Sequence, residues 1–117
     1  MTATTRSPQE IFDHHAQVLG AGDLEGIVSD YSDDAILISQ TETYRGKDGV
    51  RQVFTRLLSD VPQASWQLPT MVFEDDVMYL EWKAHSSERG IDDGIDTFVF
   101  RDGLIRVQTI RYSVLPR

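Results

Sequence analysis

Asp96 and His15 are the two side chains whose surroundings in the sequence suit proton-transfer chemistry. Asp96 stands in Ile95-Asp96-Thr97-Phe98-Val99-Phe100, where the two-residue period of a strand sets it on one face with Phe98 and Phe100. With that face turned inward, the carboxyl group sits in an apolar cavity; lost hydration raises its pKa, and such groups serve as acids or bases. The plain alternative is a solvated aspartate at a strand end. His15 falls within a helical stripe of Ile11, Phe12, Val18 and Leu19. An imidazole there is either a core histidine satisfied by a backbone carbonyl or water, or a donor or base facing a pocket. Placed near Asp96 it forms a dyad, with Asp96 ionised and His15 made more basic. His14 lies off the stripe and reads as a surface residue.

Other constellations are weaker. Asp92, Asp93 and Asp96 with His14 and His15 match neither a zinc-binding helix nor a calcium loop, whose twelfth-position glutamate is missing, so no metal and no cofactor is assigned. Zero Cys removes thiolate nucleophiles, disulfides and cysteine zinc sites. Gly46 and Gly49 do not make a phosphate loop, and no Ser/His/Asp triad can be placed. Arg101, Arg106, Arg111 and Arg117 gather near the last hairpin, but 11 Lys+Arg face 19 Asp+Glu. They suit carboxylate partners or a dimer face better than phosphate, and the net charge of −8 argues against nucleic acid or an anionic membrane.

The elements that position these residues follow from periodicity and caps. Ser7-Pro8-Gln9-Glu10 is an N-cap, a proline at the first helical position and a capping-box glutamate, opening a helix over Pro8 to Leu19 that stops at Gly20 or Gly22. Asp23 caps a short second helix carrying Leu24, Ile27, Val28 and Tyr31. Ala35 to Ser39 reads as a strand, and Gln40 to Arg45 as a loop or small strand. Gly46-Lys47-Asp48 opens a third helix with Val50, Val53, Phe54, Leu57 and Leu58 on one face, ending before Pro62. Four strands follow: Ala64 to Glu74, with Pro69 marking an irregularity or an edge; Val77 to Ser86; Ile95 to Arg101; and Leu104 to Leu115. Ser87 to Gly94 reads as an acidic connecting loop, and Asp102-Gly103 as a hairpin turn.

Helices first and strands afterwards predict an α+β domain over residues 1–117, its three N-terminal helices packed on a curved, mostly antiparallel sheet. A composition of 40% hydrophobic and 26% charged residues is that of a soluble globular domain. No apolar run reaches membrane-spanning length, and residues 1–6 lack an apolar signal segment, so a cytoplasmic protein is expected. The outer sheet face carries apolar and aromatic groups, and covering it predicts a homodimer.

Four separated motifs agree in order: Gly22-Asp23-Leu24-Glu25; Tyr31-Ser32-Asp33-Asp34-Ala35; Tyr44-Arg45-Gly46 followed by Val50-Arg51-Gln52-Val53-Phe54; and Phe98-Val99-Phe100-Arg101-Asp102-Gly103-Leu104-Ile105. In these the chain resembles the SnoaL-like branch of the nuclear transport factor 2-like (NTF2-like) superfamily, over about residues 8–114. The resemblance implies a cystatin-like, NTF2-like cone with a pocket at its open end, dimeric through the outer sheet face. Function does not follow from it, because the superfamily holds isomerases, cyclases, epoxide hydrolases, dehydratases and non-catalytic binding proteins.

Three comparisons narrow the chemistry. Ketosteroid isomerases of this superfamily use a carboxylate base, a tyrosine and a protonated aspartic acid. By the shared motifs these positions fall on Ser39, His15 and Asp96. A serine hydroxyl is too weak a base to take a carbon-bound proton unaided, which argues against a steroid isomerase. The epoxide hydrolase members bracket an arginine with two carboxylates; here Gly94 stands at the arginine position, and residues 104–117 contain no Asp or Glu. A cyclase-like reaction asks only for one acid/base group in an apolar cavity, which Asp96, or Asp96 with His15, supplies. The expected site is Asp96 and His15 as catalytic groups, with Ser39, Phe54, Trp82, Phe98, Ile110 and Tyr112 around a small hydrophobic ligand, and Trp66 as a further wall. The expected function is binding of an apolar, carbonyl-bearing compound, with cofactor-free isomerase, cyclase or dehydratase chemistry if the protein is an enzyme. The alternative is a non-catalytic sensing or interaction module.

Overall fold

Ser7 starts the first helix by closing the capping box: its hydroxyl accepts from the Glu10 amide at 3.2 Å, and the Glu10 carboxylate accepts from the Ser7 amide at 2.9 Å. The structure is a computed structural model that describes residues 5–116. Residues 1–4 of the segment read above as lacking signal character, and Arg117 of the arginine group, lie outside the described residues. Helix α1 runs Pro8–Gly20, α2 Leu24–Val28 and α3 Gly46–Asp60; the strands are β1 Tyr31–Ser39, β2 Thr43–Arg45, β3 Ser65–Glu74, β4 Val77–His85, β5 Arg89–Arg101, β6 Leu104–Arg111 and β7 Leu115–Pro116.

These make an α+β fold with the helices packed on one face of a curved, unclosed sheet ordered β2-β1-β6-β5-β4-β3, with β7 paired to β5. Every pairing is antiparallel except β1 with β6. Alternation along the strands turns Leu80, Trp82 and Ala84 of β4, and Asp96, Phe98 and Phe100 of β5, towards the helices, where they meet Ile11, Phe12, Val50, Phe54 and Leu57. Among the described residues no helix is long and apolar enough to cross a membrane.

The structure differs from the sequence reading in three places. Tyr31 opens β1 instead of closing α2: the helix stops at Val28, and Tyr31 pairs with Ile105 of β6 and is fully buried. Residues 89–94 are not a loop but the first half of β5, because Ile91 is buried against Ala84 while Asp92 and Asp93 keep their charges outside on His85 and Arg111. The last strand ends at Arg111, and the chain returns at Leu115 to pair with Gly90. Pro69 marks both features expected of it: β3 is an edge strand, and its register with β4 shifts between Gln67 and Thr70.

The outer sheet face carries an in-register row from β1 to β3: Ile38, Thr109, Thr97, Tyr79 and Val72. The row has no charged side chain, and Val72 is 54% exposed.

Candidate functional site

The buried carboxylate of Asp96 is held by its diagonal neighbours. Directly opposite it stand Leu80 on β4 and Ile110 on β6. Two residues along those strands, on the same face, lie Trp82 and Gln108, within side-chain reach. Trp82 Nε1 donates to Asp96 Oδ1 at 3.0 Å, and Gln108 Nε2 donates to Asp96 Oδ2 at 3.0 Å. The Tyr31 hydroxyl donates to Gln108 Oε1, which fixes the amide with its NH2 towards Asp96. Asp96 is 4% exposed, and Tyr31 and Gln108 are fully buried. Burial pushes the Asp96 carboxyl up to about 7, against the pull of the Trp82 and Gln108 hydrogen bonds. Burial, then the charges of Asp96 and Asp30, hold the Tyr31 hydroxyl protonated.

The Trp82 indole reaches Asp96 because Gly94 lies beneath it. A Cβ at position 94 would stand 2.2 Å from Trp82 Cε2, so the indole fills the space a side chain there would need. The arginine that epoxide hydrolases use at this position therefore has no room here.

His15 comes from α1 and is 3% exposed among the rings of Phe12, Tyr31, Phe54 and Phe98, whose centroids lie 5.6–6.0 Å away. Burial drives its pKa down to about 4; Asp30 pulls it up and His14 down by less. The ring is neutral at neutral pH. Among the described residues buried Nδ1 has no hydrogen-bond partner; a bare lone pair costs less there than an unpaired N–H, which favours the tautomer with its proton on Nε2.

His15 and Asp96 line one cavity of about 100 Å³ together with Phe54, Trp82 and Ile110. Trp66 lines it too, and Phe12, Ala16, Leu19, Leu57, Leu68 and Leu80 complete the wall. The expected dyad does not form: among the described residues no hydrogen bond or ion pair joins His15 to Asp96, both Asp96 oxygens are taken by Trp82 and Gln108, and burial makes His15 less basic, not more. Phe98 does not line this cavity; it is fully buried behind it, 5.6 Å from the His15 ring and 5.7 Å from Phe12. Ser39 and Tyr112 line a neighbouring cavity of about 280 Å³, which shares Ile110. A run of mutually tilted aromatic rings, Trp66, Trp82 and Tyr112, with centroids 5.7 and 5.6 Å apart, connects the walls of the two.

Sequence reasoning gave no role to Tyr31 or Gln108. Gln108 was detectable, since a period of two sets it on the inner face with Ile110; Tyr31 was hidden by its placement on a helix. Asp30 was missed as well. It is fully buried and accepts from Arg6 Nη1 at 2.9 Å and from His14 Nδ1 at 2.8 Å, so His14 is a partner of a buried carboxylate and not a free surface residue. Among the described residues no three His, Asp or Glu side chains come together in a way that could hold a metal ion.

Known proteins share this architecture. A crystal structure of an NTF2-like protein of unknown function from Burkholderia xenovorans LB400 aligns with a TM-score of 0.73 at 22% identity, covering 90% of this chain and 81% of that one. A putative ketosteroid isomerase from Kribbella flavida DSM 17836 aligns at 0.75 and 12% identity, covering 95% and 82%. SalBIII, an epoxide hydrolase/cyclase-like enzyme with a role in pyran ring formation in the polyether salinomycin, aligns at 0.75 and 14% identity, covering 90% and 89%. At these identities the likeness is one of fold. No curated protein matches the sequence. The SnoaL-like domain family does match, over residues 12–108, and with the helices, sheet and inner cavity already in place the chain belongs to that family.

Proposed function

We propose that the inner cavity binds a small apolar compound bearing a carbonyl group and moves a proton on it without a cofactor, as isomerases, cyclases and dehydratases do. The supporting observation is the pairing in one apolar cavity of a carboxyl that titrates near neutrality with an imidazole held neutral. Asp96 is the proton carrier: ionised, it takes a proton from the carbon beside the carbonyl, and as the acid it returns that proton to another atom of the same ligand. His15 stays neutral and donates Nε2–H to the carbonyl oxygen, where negative charge develops. The proton leaves and re-enters the ligand, so the step balances without an electron acceptor. The second reading is a non-catalytic ligand-binding module, favoured by the fact that both Asp96 oxygens already hold hydrogen bonds.

A panel of single-ring ketones separates the two. Ligands are found first by a rise in melting temperature; exchange of their α-hydrogens for deuterium is then followed by NMR. Catalysis predicts exchange in the wild type that falls about a hundredfold or more in Asp96→Asn and in His15→Ala. Binding with no exchange above the solvent rate leaves the module reading. We also propose that the uncharged outer row pairs with its own copy across a two-fold axis, giving a homodimer.

A further inference from the structure

Apart from Phe98, the side chains assigned to ligand binding by sequence fall into two cavities one side chain apart. Ile110 lines both, and the Trp82 ring of the inner one lies 5.6 Å from the Tyr112 ring of the outer one. The inner cavity, about 100 Å³, is smaller than the roughly 150 Å³ of a closed apolar cavity that holds one benzene molecule, but it is only partly enclosed, so a ring seated in it protrudes and the rest of the ligand must extend beyond it. The outer cavity, about 280 Å³, is larger and carries a cation, Arg56 of α3.

The polar groups around Arg56 are already committed. Ser39 Oγ donates to the Glu42 carbonyl and accepts from the amides of Thr41 and Glu42. Gln40 Nε2 donates to the Tyr112 carbonyl at 2.5 Å. Asp60, which also lines the cavity, faces Arg89 at 3.7 Å on one side and the Tyr112 hydroxyl on the other, so it already has partners of its own. Among the described residues Arg56 makes no ion pair or hydrogen bond, although its charge reaches the hydroxyls of Tyr44 and Tyr112. A guanidinium offers two parallel N–H donors that match a carboxylate. In a chain of net charge −8 the overall field repels anions, so an acid is retained only by a local cation of this kind.

We propose that the two cavities form one bipartite site for an amphipathic carboxylic acid, with a single apolar ring in the inner cavity and the carboxylate on Arg56 in the outer one. The proposal rests on the reading of the inner cavity as a ligand site and adds the class of ligand. A third cavity, about 310 Å³, adjoins the inner one through Leu19 and Trp66 but has no charged lining, so it offers a tail no polar anchor.

The test uses phenylalkanoic acids of two to six chain carbons and the matching phenylalkanols, titrated calorimetrically into the wild type and Arg56→Gln at pH 8. One chain length of acid should bind about tenfold more tightly than its alcohol. Arg56→Gln should abolish that preference while leaving alcohol affinity unchanged, and high salt should weaken the acid alone. Equal binding of acid and alcohol, or a preference that survives Arg56→Gln, removes the anionic subsite and leaves the inner pocket standing. Alcohols that tighten steadily with length while Arg56→Gln is silent place the tail in the third cavity and also overturn the proposal. If neither series binds, the ligand reading of the inner cavity fails and the subsite goes with it.

Discussion

Trp82 and Gly94 face one another across β4 and β5, and the indole lies where a side chain on residue 94 would have to go. The contact does more than fill space, because the same indole supplies the N–H that holds Asp96 Oδ1. Gly94→Ala places a methyl carbon 2.2 Å from the ring and must displace it. Overpacking of this kind costs about 1–3 kcal/mol. Chemical denaturation should show that loss, and near-ultraviolet circular dichroism should show an altered tryptophan environment. With the indole donor pulled away, the Asp96 carboxyl should titrate higher still, since that hydrogen bond favours the anion. A variant of wild-type stability and unchanged Asp96 titration would refute this account of Gly94.

Tyr31, Gln108 and Asp96 act as a chain in which each link sets the next. Without the Tyr31 hydroxyl, the Gln108 carbonyl oxygen loses the donor that tells it from the amide nitrogen. Tyr31→Phe should cost about 1–2 kcal/mol, and Gln108→Leu more, because it leaves both a buried hydroxyl and a buried carboxyl short of a partner. In the double variant the second change should cost less than it does alone. The double-mutant cycle is therefore expected to give a coupling of about 1 kcal/mol or more, where additive losses would mean that the three groups do not form a network.

The inward turn of Asp96 was legible from a period of two, and the burial of His15 from a helical stripe, because each depends on one element alone. The flanking donors were not legible. Which residues stand diagonal to Asp96 is decided by the register of β4 and β6 on β5, and that register shifts between Trp82 and Ala84 and between Val99 and Phe100. A single strand's pattern carries no record of its neighbour's offset. Tyr31 was misplaced for a related reason: Leu24, Ile27, Val28 and Tyr31 keep a helical spacing, yet pairing with Ile105 and the bond to Gln108 outweigh local propensity. Asp30 was silent because a buried aspartate looks like its exposed neighbours Asp33 and Asp34 until Arg6 and His14 are brought to it from outside its own segment.

The outer sheet face predicts an association that one charge should break. Ile38, Tyr79 and Val72 belong to a single in-register row, and a two-fold axis through its middle would bring the row onto itself. Sedimentation should give a species near twice 13.3 kDa for the wild type. Val72→Lys should shift it to the monomer, because each interface would then bury two ammonium groups without partners. Val72 is 54% exposed within one chain, so the change should leave the monomer's own stability within about 0.5 kcal/mol. A wild-type monomer at high protein concentration would contradict the homodimer.

Asp96 and His15 should leave opposite marks on the pH dependence of stability. Burial raises Asp96 from 3.8 to about 7, so between these values the native state keeps a proton that the unfolded chain has released. Raising the pH through this range favours unfolding, by an amount on the order of 4 kcal/mol for this group. Burial lowers His15 from 6.5 to about 4, so the unfolded chain holds the extra proton there and raising the pH favours folding, by about 3 kcal/mol. The two windows overlap from about 4 to 6.5, and there the contributions nearly cancel. His15→Phe keeps a ring in place and removes the titration; its stability, relative to wild type, should fall as pH rises through the window. Asp96→Asn should do the reverse and gain on the wild type steadily up to about pH 7. Urea denaturation at half-unit pH steps supplies all three curves, and taking differences from wild type cancels the exposed carboxylates common to them. Difference curves that are flat for both variants would show that neither group is held in the protonation state on which the proposed proton transfer depends.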